Sequence, residues 1–186
     1  MAQQNKYPLT TARLQLWINV RIRRMQQKLA QEGSNNSGAL RQSLAANFND
    51  SVDEKGGIIS GLIIAKDYWA FVDEGVRGVG GNSDITNNAM PNQNATSPFK
   101  YDNKKPPLSW GADGVPRGPI GEWVRTKVKA GGNDLFTALN VRESIFRKGT
   151  KPTYFASDVL TEQAINELNE EIAETLLQDI ANQFEE

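Results

Sequence analysis

The sequence predicts an α+β fold, and three observations carry that expectation. Two long stretches, one near each end, repeat apolar residues every three or four positions. A β-branched run at 58–64 stands between them. A segment rich in Gly, Asn, Ser and Pro, at 76–107, interrupts the middle. Helical periodicity at the ends and strand chemistry between them imply helices packed on a small sheet.

The first element is a helix over 10–31. Leu14, Ile18, Ile22, Met25 and Leu29 fall on one face, and Thr10 or Thr11 supplies a cap. At the usual rise it is roughly 30 Å long. Gly33 and the polar run to Gly38 end it. Leu40, Gln42, Leu44, Ala46 and Phe48 then alternate crudely, which predicts a strand. A polar turn at 50–57 leads into Ile58-Ile59-Ser60-Gly61-Leu62-Ile63-Ile64, read as a buried strand of an antiparallel hairpin. Residues 67–75 form a short helical turn closed by Gly75.

The run at 76–107 is a long irregular loop of roughly 30 residues. Loops of that length are functional or disordered more often than not. Phe99 and Tyr101 lie within it, so part of it is expected to dock on something. Pro119 suits the first turn of a helix over 119–129, broken by Gly131-Gly132-Asn133. A further helix covers 134–148, with Leu135, Leu139, Ile145 and Phe146 inward and Gly149 as its stop. The last element, within 157–186, is an acidic helix. Its stripe is Ile165, Leu168, Ile172, Leu176, Ile180 and Phe184, either a core face or a seam between subunits.

With 186 residues, 38% hydrophobic, the chain suits one domain over 1–186. Its net charge is −1, without the basic excess of a typical nucleic-acid binder. The distribution is uneven. Lys6, Arg13, Arg21, Arg23, Arg24 and Lys28 occupy the first 30 residues without an acid, and no Lys or Arg follows Lys151. A basic head and an acidic tail can pair, within a subunit or between neighbours. No apolar run approaches a membrane span, and the first residues carry no apolar core of a signal peptide.

Catalytic chemistry finds little support. Cysteine and histidine are both absent, so thiol nucleophiles, disulfides and imidazole bases are excluded. Asp67, Asp73 and Glu74 are the best carboxylates, but Asp73 and Glu74 are adjacent and diverge on a helix; a solvated helix end or a bridge to Arg77 is the expectation. Gly75-Val76-Arg77-Gly78-Val79-Gly80-Gly81 lacks the Lys-Ser or Lys-Thr of a phosphate loop and reads as a hinge. No metal or cofactor site is expected.

Three segments, in order, resemble one family. They are Gly38-Ala39-Leu40-Arg41-Gln42-Ser43-Leu44, then Tyr68-Trp69-Ala70-Phe71-Val72-Asp73-Glu74-Gly75-Val76-Arg77-Gly78, then Ser144-Ile145-Phe146-Arg147-Lys148-Gly149-Thr150-Lys151-Pro152-Thr153-Tyr154-Phe155. Together they are similar to the tail-completion or neck proteins of tailed bacteriophages. Those proteins show a Gly-x-Leu-x-x-Ser strand start, an aromatic–Val–Glu–Gly turn and a Lys-Pro-x-x-Phe before the last helix. The very long acidic C-terminal helix departs from the pattern.

The resulting expectation is a long N-terminal helix, a small antiparallel sheet of three to five strands, and C-terminal helices packed on one face. Trp69 and Phe71 should pack under the sheet, and Phe155 should close the core. The 76–107 loop should protrude as an arm that touches a neighbour. Arg77, Phe99, Tyr101, Lys104, Lys105, Ile172, Leu176 and Ile180 are the expected subunit-interface residues. The resemblance implies a non-enzymatic homo-oligomeric ring, a hexamer or dodecamer, in the virion neck or tail, assembled in the host cytoplasm. Its partners would be other neck, portal-side or tail proteins, with DNA passing through the lumen and no membrane. The alternative is a nucleic-acid-binding module using the basic N-terminal helix.

Overall fold

The computed structural model of the chain describes residues 6–31, 38–49, 60–101, 104–125 and 134–185. The turn expected at 50–57, Ile58 and Ile59, the helix end at 126–129 and the break at 131–133 lie outside them. The fold is α+β, with a long N-terminal helix and small antiparallel pairings. It divides into two compact units. One draws on Met1–Lys28, Arg41–Lys66 and Phe155–Glu186, the other on Leu29–Leu40 and Asp67–Tyr154.

The first unit is organised by its terminal helices, α1 (Pro8–Gln31) and α6 (Glu162–Glu185). In α1, Ile18, Ile22, Met25 and Leu29 are buried, as the spacing predicts. Burying each such side chain stabilises by about 1.5–3 kcal/mol. The start of α1 differs from expectation. Thr10 and Thr11 lie inside the helix rather than capping it, because Pro8 takes a first-turn position where its missing N–H costs nothing. The cap comes from the far end of the chain. The buried Asp179 carboxylate of α6 accepts from the Leu9 amide at 3.1 Å, the Thr10 amide at 2.9 Å and the Thr10 hydroxyl at 2.8 Å.

From that anchor the helices run antiparallel, joined by long side chains. Arg13 meets Glu171 at 2.6 Å, Arg21 approaches Glu167 at 3.7 Å, and Lys28 pairs with Asp158 just before α6. The basic head and acidic tail therefore pair within one chain. Thr161 caps α6, accepting from the Ala164 amide at 3.2 Å. The hairpin of β1 (Ala45–Asn49) and β2 (Ser60–Ile64) is antiparallel, pairing Ala45 with Ile64 and Asn49 with Ser60. Gly61 lets β2 sit on α1, since a Cβ there would strike the Ile18 side chain.

Residues 39–43 are a correction. They form a short helix, α2 (Ala39–Ser43), not the start of a strand. Leu40 and Leu44 are both buried, and their four-residue separation puts both on one side of a helix as well as of a strand, so the spacing alone fits either.

The second unit holds α3 (Trp69–Asp73), β3 (Val76–Arg77), β4 (Ser109–Trp110), β5 (Pro116–Arg117), α4 (Gly118–Trp123), α5 (Asp134–Lys148) and β6 (Gly149–Thr150). Here α5 packs against α4 and β5. Val124, Ala138 and Phe146 are buried, whereas Leu135 is 46% exposed and does not point inward as expected. The single sheet of three to five strands does not form. Among the described residues there are three separate two-stranded pairings, β1–β2, β3–β6 and β4–β5. Trp69 and Phe71 are exposed rather than packed beneath a sheet; in the first unit, Phe155 is 1% exposed, as expected.

Replacing Asp179 with Ala should destabilise the first unit by about 1–2 kcal/mol, the usual worth of a cap plus a stranded amide. Asn, which keeps one acceptor oxygen, should recover part of the loss. Urea denaturation followed by far-ultraviolet circular dichroism checks both.

Candidate functional site

Two of the three motifs singled out in the sequence meet in the second unit. β3 pairs with β6, Val76 opposite Thr150 and Arg77 opposite Gly149. Upstream of that ladder, the amides of Thr153 and Tyr154 donate to the Asp73 carbonyl at 3.0 and 2.9 Å. The Thr153 hydroxyl donates to the Val72 carbonyl at 2.9 Å. Gly149 makes the crossing possible: its φ is +81°, and a Cβ would collide with the Val76 carbonyl. The segments 68–78 and 144–155 are thus two sides of one junction.

The 76–101 stretch is not a protruding arm. It folds back onto its own unit, and its polar residues are the reason. The Asn94 amide donates to the carbonyls of Glu74 and Thr150, at 3.0 and 3.1 Å. The Ser97 hydroxyl donates to the Gly75 carbonyl at 2.8 Å. Asn92 both accepts from the Gly78 amide and donates to the Gly78 carbonyl. The last carbonyls of α5, which no helical amide reaches, are satisfied by this stretch: Val79 on Phe146, Gly80 on Arg147 and Gln93 on Lys148, at 2.8–3.0 Å.

A charge cluster ties the far side of the loop to α5. Glu143, whose side chain is 1% exposed, takes the Lys105 ammonium at 2.7 Å and the Arg147 guanidinium at 2.9 Å. Asp84 receives the same two cations, at 2.8 Å from Lys105 and 2.7 Å from Arg147. The hydrogen bond from Lys105 is the main reason the Asp84 carboxyl lies below its ordinary value. Burial pushes the Glu143 carboxyl up, but the Lys105 and Arg147 hydrogen bonds outweigh it and hold it below its ordinary value. In return, Asp84 and Glu143 raise Lys105.

The expected interface residues are therefore engaged by their own chain to different degrees. Arg77 reaches the Ala95 carbonyl at 3.4 Å. Phe99 stacks on Phe71, ring centres 4.5 Å apart, and Tyr101 lies 6.0 Å from Phe146. Lys105 belongs to the cluster, and Lys104 is exposed. On α6, Ile172 and Leu176 are half-buried and Ile180 is exposed. Asp73 is 2% exposed, not at a solvated helix end, while the neighbouring Glu74 is exposed, so the two carboxylates do not share a site. Among the described residues no three Asp or Glu side chains gather as a metal site would need. No helix among them is long and apolar enough to cross a membrane.

Asp179 and Glu143 escaped the sequence reading. Each carried a signal: an acid at helical spacing from an inward apolar residue, Asp179 three residues after Leu176 and Glu143 three before Phe146. A buried acid at such a position demands a partner. Comparison with protein-family models, curated proteins and solved structures found no match for this chain.

The cluster sets a pH dependence whose sign is fixed. Glu143 and Asp84 are depressed in the fold, so their contribution is complete above the ordinary carboxylate values and is lost as pH falls through the lowered ones. Lys105 and Arg147 are raised, so their share persists through neutral pH and fails only in strong base. Glu143→Gln should lower the melting temperature at pH 7 by roughly 4–8 °C. The gap from wild type should narrow as the pH drops below about 4. Calorimetry across that range checks it.

Proposed function

We propose that the chain is a structural, non-enzymatic virion subunit, a component of the ring that joins head to tail in a tailed bacteriophage. The observation that carries this reading is the ordered set of motifs at 38–44, 68–78 and 144–155, which resembles the neck and tail-completion proteins. The position of the last two supports it. They interlock through β3, β6 and the Asp73 carbonyl, so they act as one fold-defining junction rather than as scattered matches. The conspicuous charged groups are also used on structure: Glu143 and Asp84 on Lys105 and Arg147, and Asp179 on a helix end. A hexamer or dodecamer is the stoichiometry the resemblance implies. Portal-side, neck or tail proteins would lie above and below, and DNA would pass through the lumen.

Nucleic-acid binding through α1 is the weaker reading, because Arg13, Arg21 and Lys28 face acids of their own chain. Lys6, Arg23 and Arg24 remain exposed. Three cations give a logarithmic salt slope for duplex DNA no steeper than about −3. Fluorescence anisotropy at several salt concentrations measures it, and a much steeper slope would favour the DNA reading.

The head–tail reading is tested in particles. Quantitative mass spectrometry of purified virions should find the chain in multiple copies per particle. Deleting its gene should leave filled heads and free tails unjoined. Absence of the chain from purified particles overturns the proposal.

A further inference from the structure

Each terminal helix of the first unit carries a second face that the pairing within the chain leaves outside. On α6 the inward side holds Ala164 and Asp179, both buried. Leu177, Ile180 and Phe184 follow one another at three and four residues, forming a separate stripe on the opposite side. They are 69%, 38% and 86% exposed. Glu174 and Glu170, also exposed, stand one and two turns before Leu177 on that side.

On α1 the corresponding outward stripe is Leu9, Ala12, Leu16, Asn19 and Arg23, again at three and four residues. Leu9 and Leu16 are 38% and 55% exposed, and Arg23 and Arg24 extend the stripe as cations. One helix therefore presents an apolar stripe edged with acids, and the other an apolar stripe edged with bases.

Charge decides what can cover them. No Lys or Arg occurs in α6, so two α6 helices laid together would set acid against acid. No Asp or Glu occurs in α1, so two α1 helices would set base against base. Like charges across a contact are costly and exclude both self-matched arrangements. An α6 stripe on an α1 stripe is complementary. The chain already uses that pairing internally, through Arg13 with Glu171 and Arg21 with Glu167.

We infer that the outward α6 stripe docks on the outward α1 stripe of a second copy of this chain. Such a contact uses two different surfaces, so a bound pair still offers one free face of each kind, one on each subunit. Repeated, it closes into a ring or extends into a helix. The inference rests on the ring reading and names the surface that builds the ring.

Two charge-reversed variants test it, Arg23→Glu/Arg24→Glu and Glu170→Lys/Glu174→Lys. All four side chains are exposed, and circular dichroism confirms that each variant folds. By native mass spectrometry each alone should assemble poorly, its apparent dissociation constant raised roughly ten- to a hundredfold. Mixed, the two variants are complementary at both contacts, an acidic stripe of one on a basic stripe of the other, and should co-assemble with the two alternating. All four reversals in one chain should restore the ring. Phe184→Asp, in the last turn of α6, should weaken assembly without touching the fold. If the wild type forms a ring and every variant forms it equally well, the surface is wrong and the ring reading stands. If the wild type remains a monomer, both fail.

Discussion

The architecture of the first unit depends on one carboxylate. Asp179 lies 170 residues from Leu9 in sequence, yet its oxygens take the first free amides of α1. An ionised group buried to 2% exposure is strongly unfavourable unless hydrogen bonds replace its water. The N-terminus of a helix offers amide donors and a partial positive charge in the right place. Each end of this contact thus removes the other's penalty. Once it forms, the register of α1 against α6 is set, and the ladder from Arg13–Glu171 to Lys28–Asp158 follows in order. Those surface pairs are individually worth little. Their value is orientation: with the inward faces fixed, Leu177 and Phe184 on one helix and Leu16 on the other are left outside.

The second unit solves a different problem with the same chemistry. Its strands are two residues long, too short for ladders to satisfy the backbone around them. Side-chain amides and hydroxyls take over that task. Asn92, Asn94 and Ser97 bond to carbonyls of the 74–78 turn and of Thr150, and loop amides cap the C-terminal end of α5. The Glu143 cluster then holds the returning chain at Lys105. The segments 68–78 and 144–155 are ordered by this frame.

Much of the fold was legible in the residues. The buried stripe of α1, the limits of α5, the antiparallel hairpin and the stop at Gly75 follow from periodicity, β-branching and glycine placement. The loop was misread because Asn and Ser signal both flexibility and backbone hydrogen bonding, and composition does not separate the two. Residues 40–44 were misread because a four-residue leucine spacing also fits crude alternation. The α6 stripe was seen as one face when it is two: Ala164, Leu168 and Asp179 turn inward, and Leu177, Ile180 and Phe184 outward. A helix with apolar residues on more than one side does not announce which side its own chain will cover. Asp179 supplied that information only once its partner was known.

The most direct measurement is sedimentation equilibrium of the purified chain over a range of concentration and salt. A ring built from acid-edged and base-edged stripes should appear as one discrete multiple of the monomer mass. Its population should fall as salt screens the contact. A monomer at every concentration and at low salt would contradict the assembly role outright.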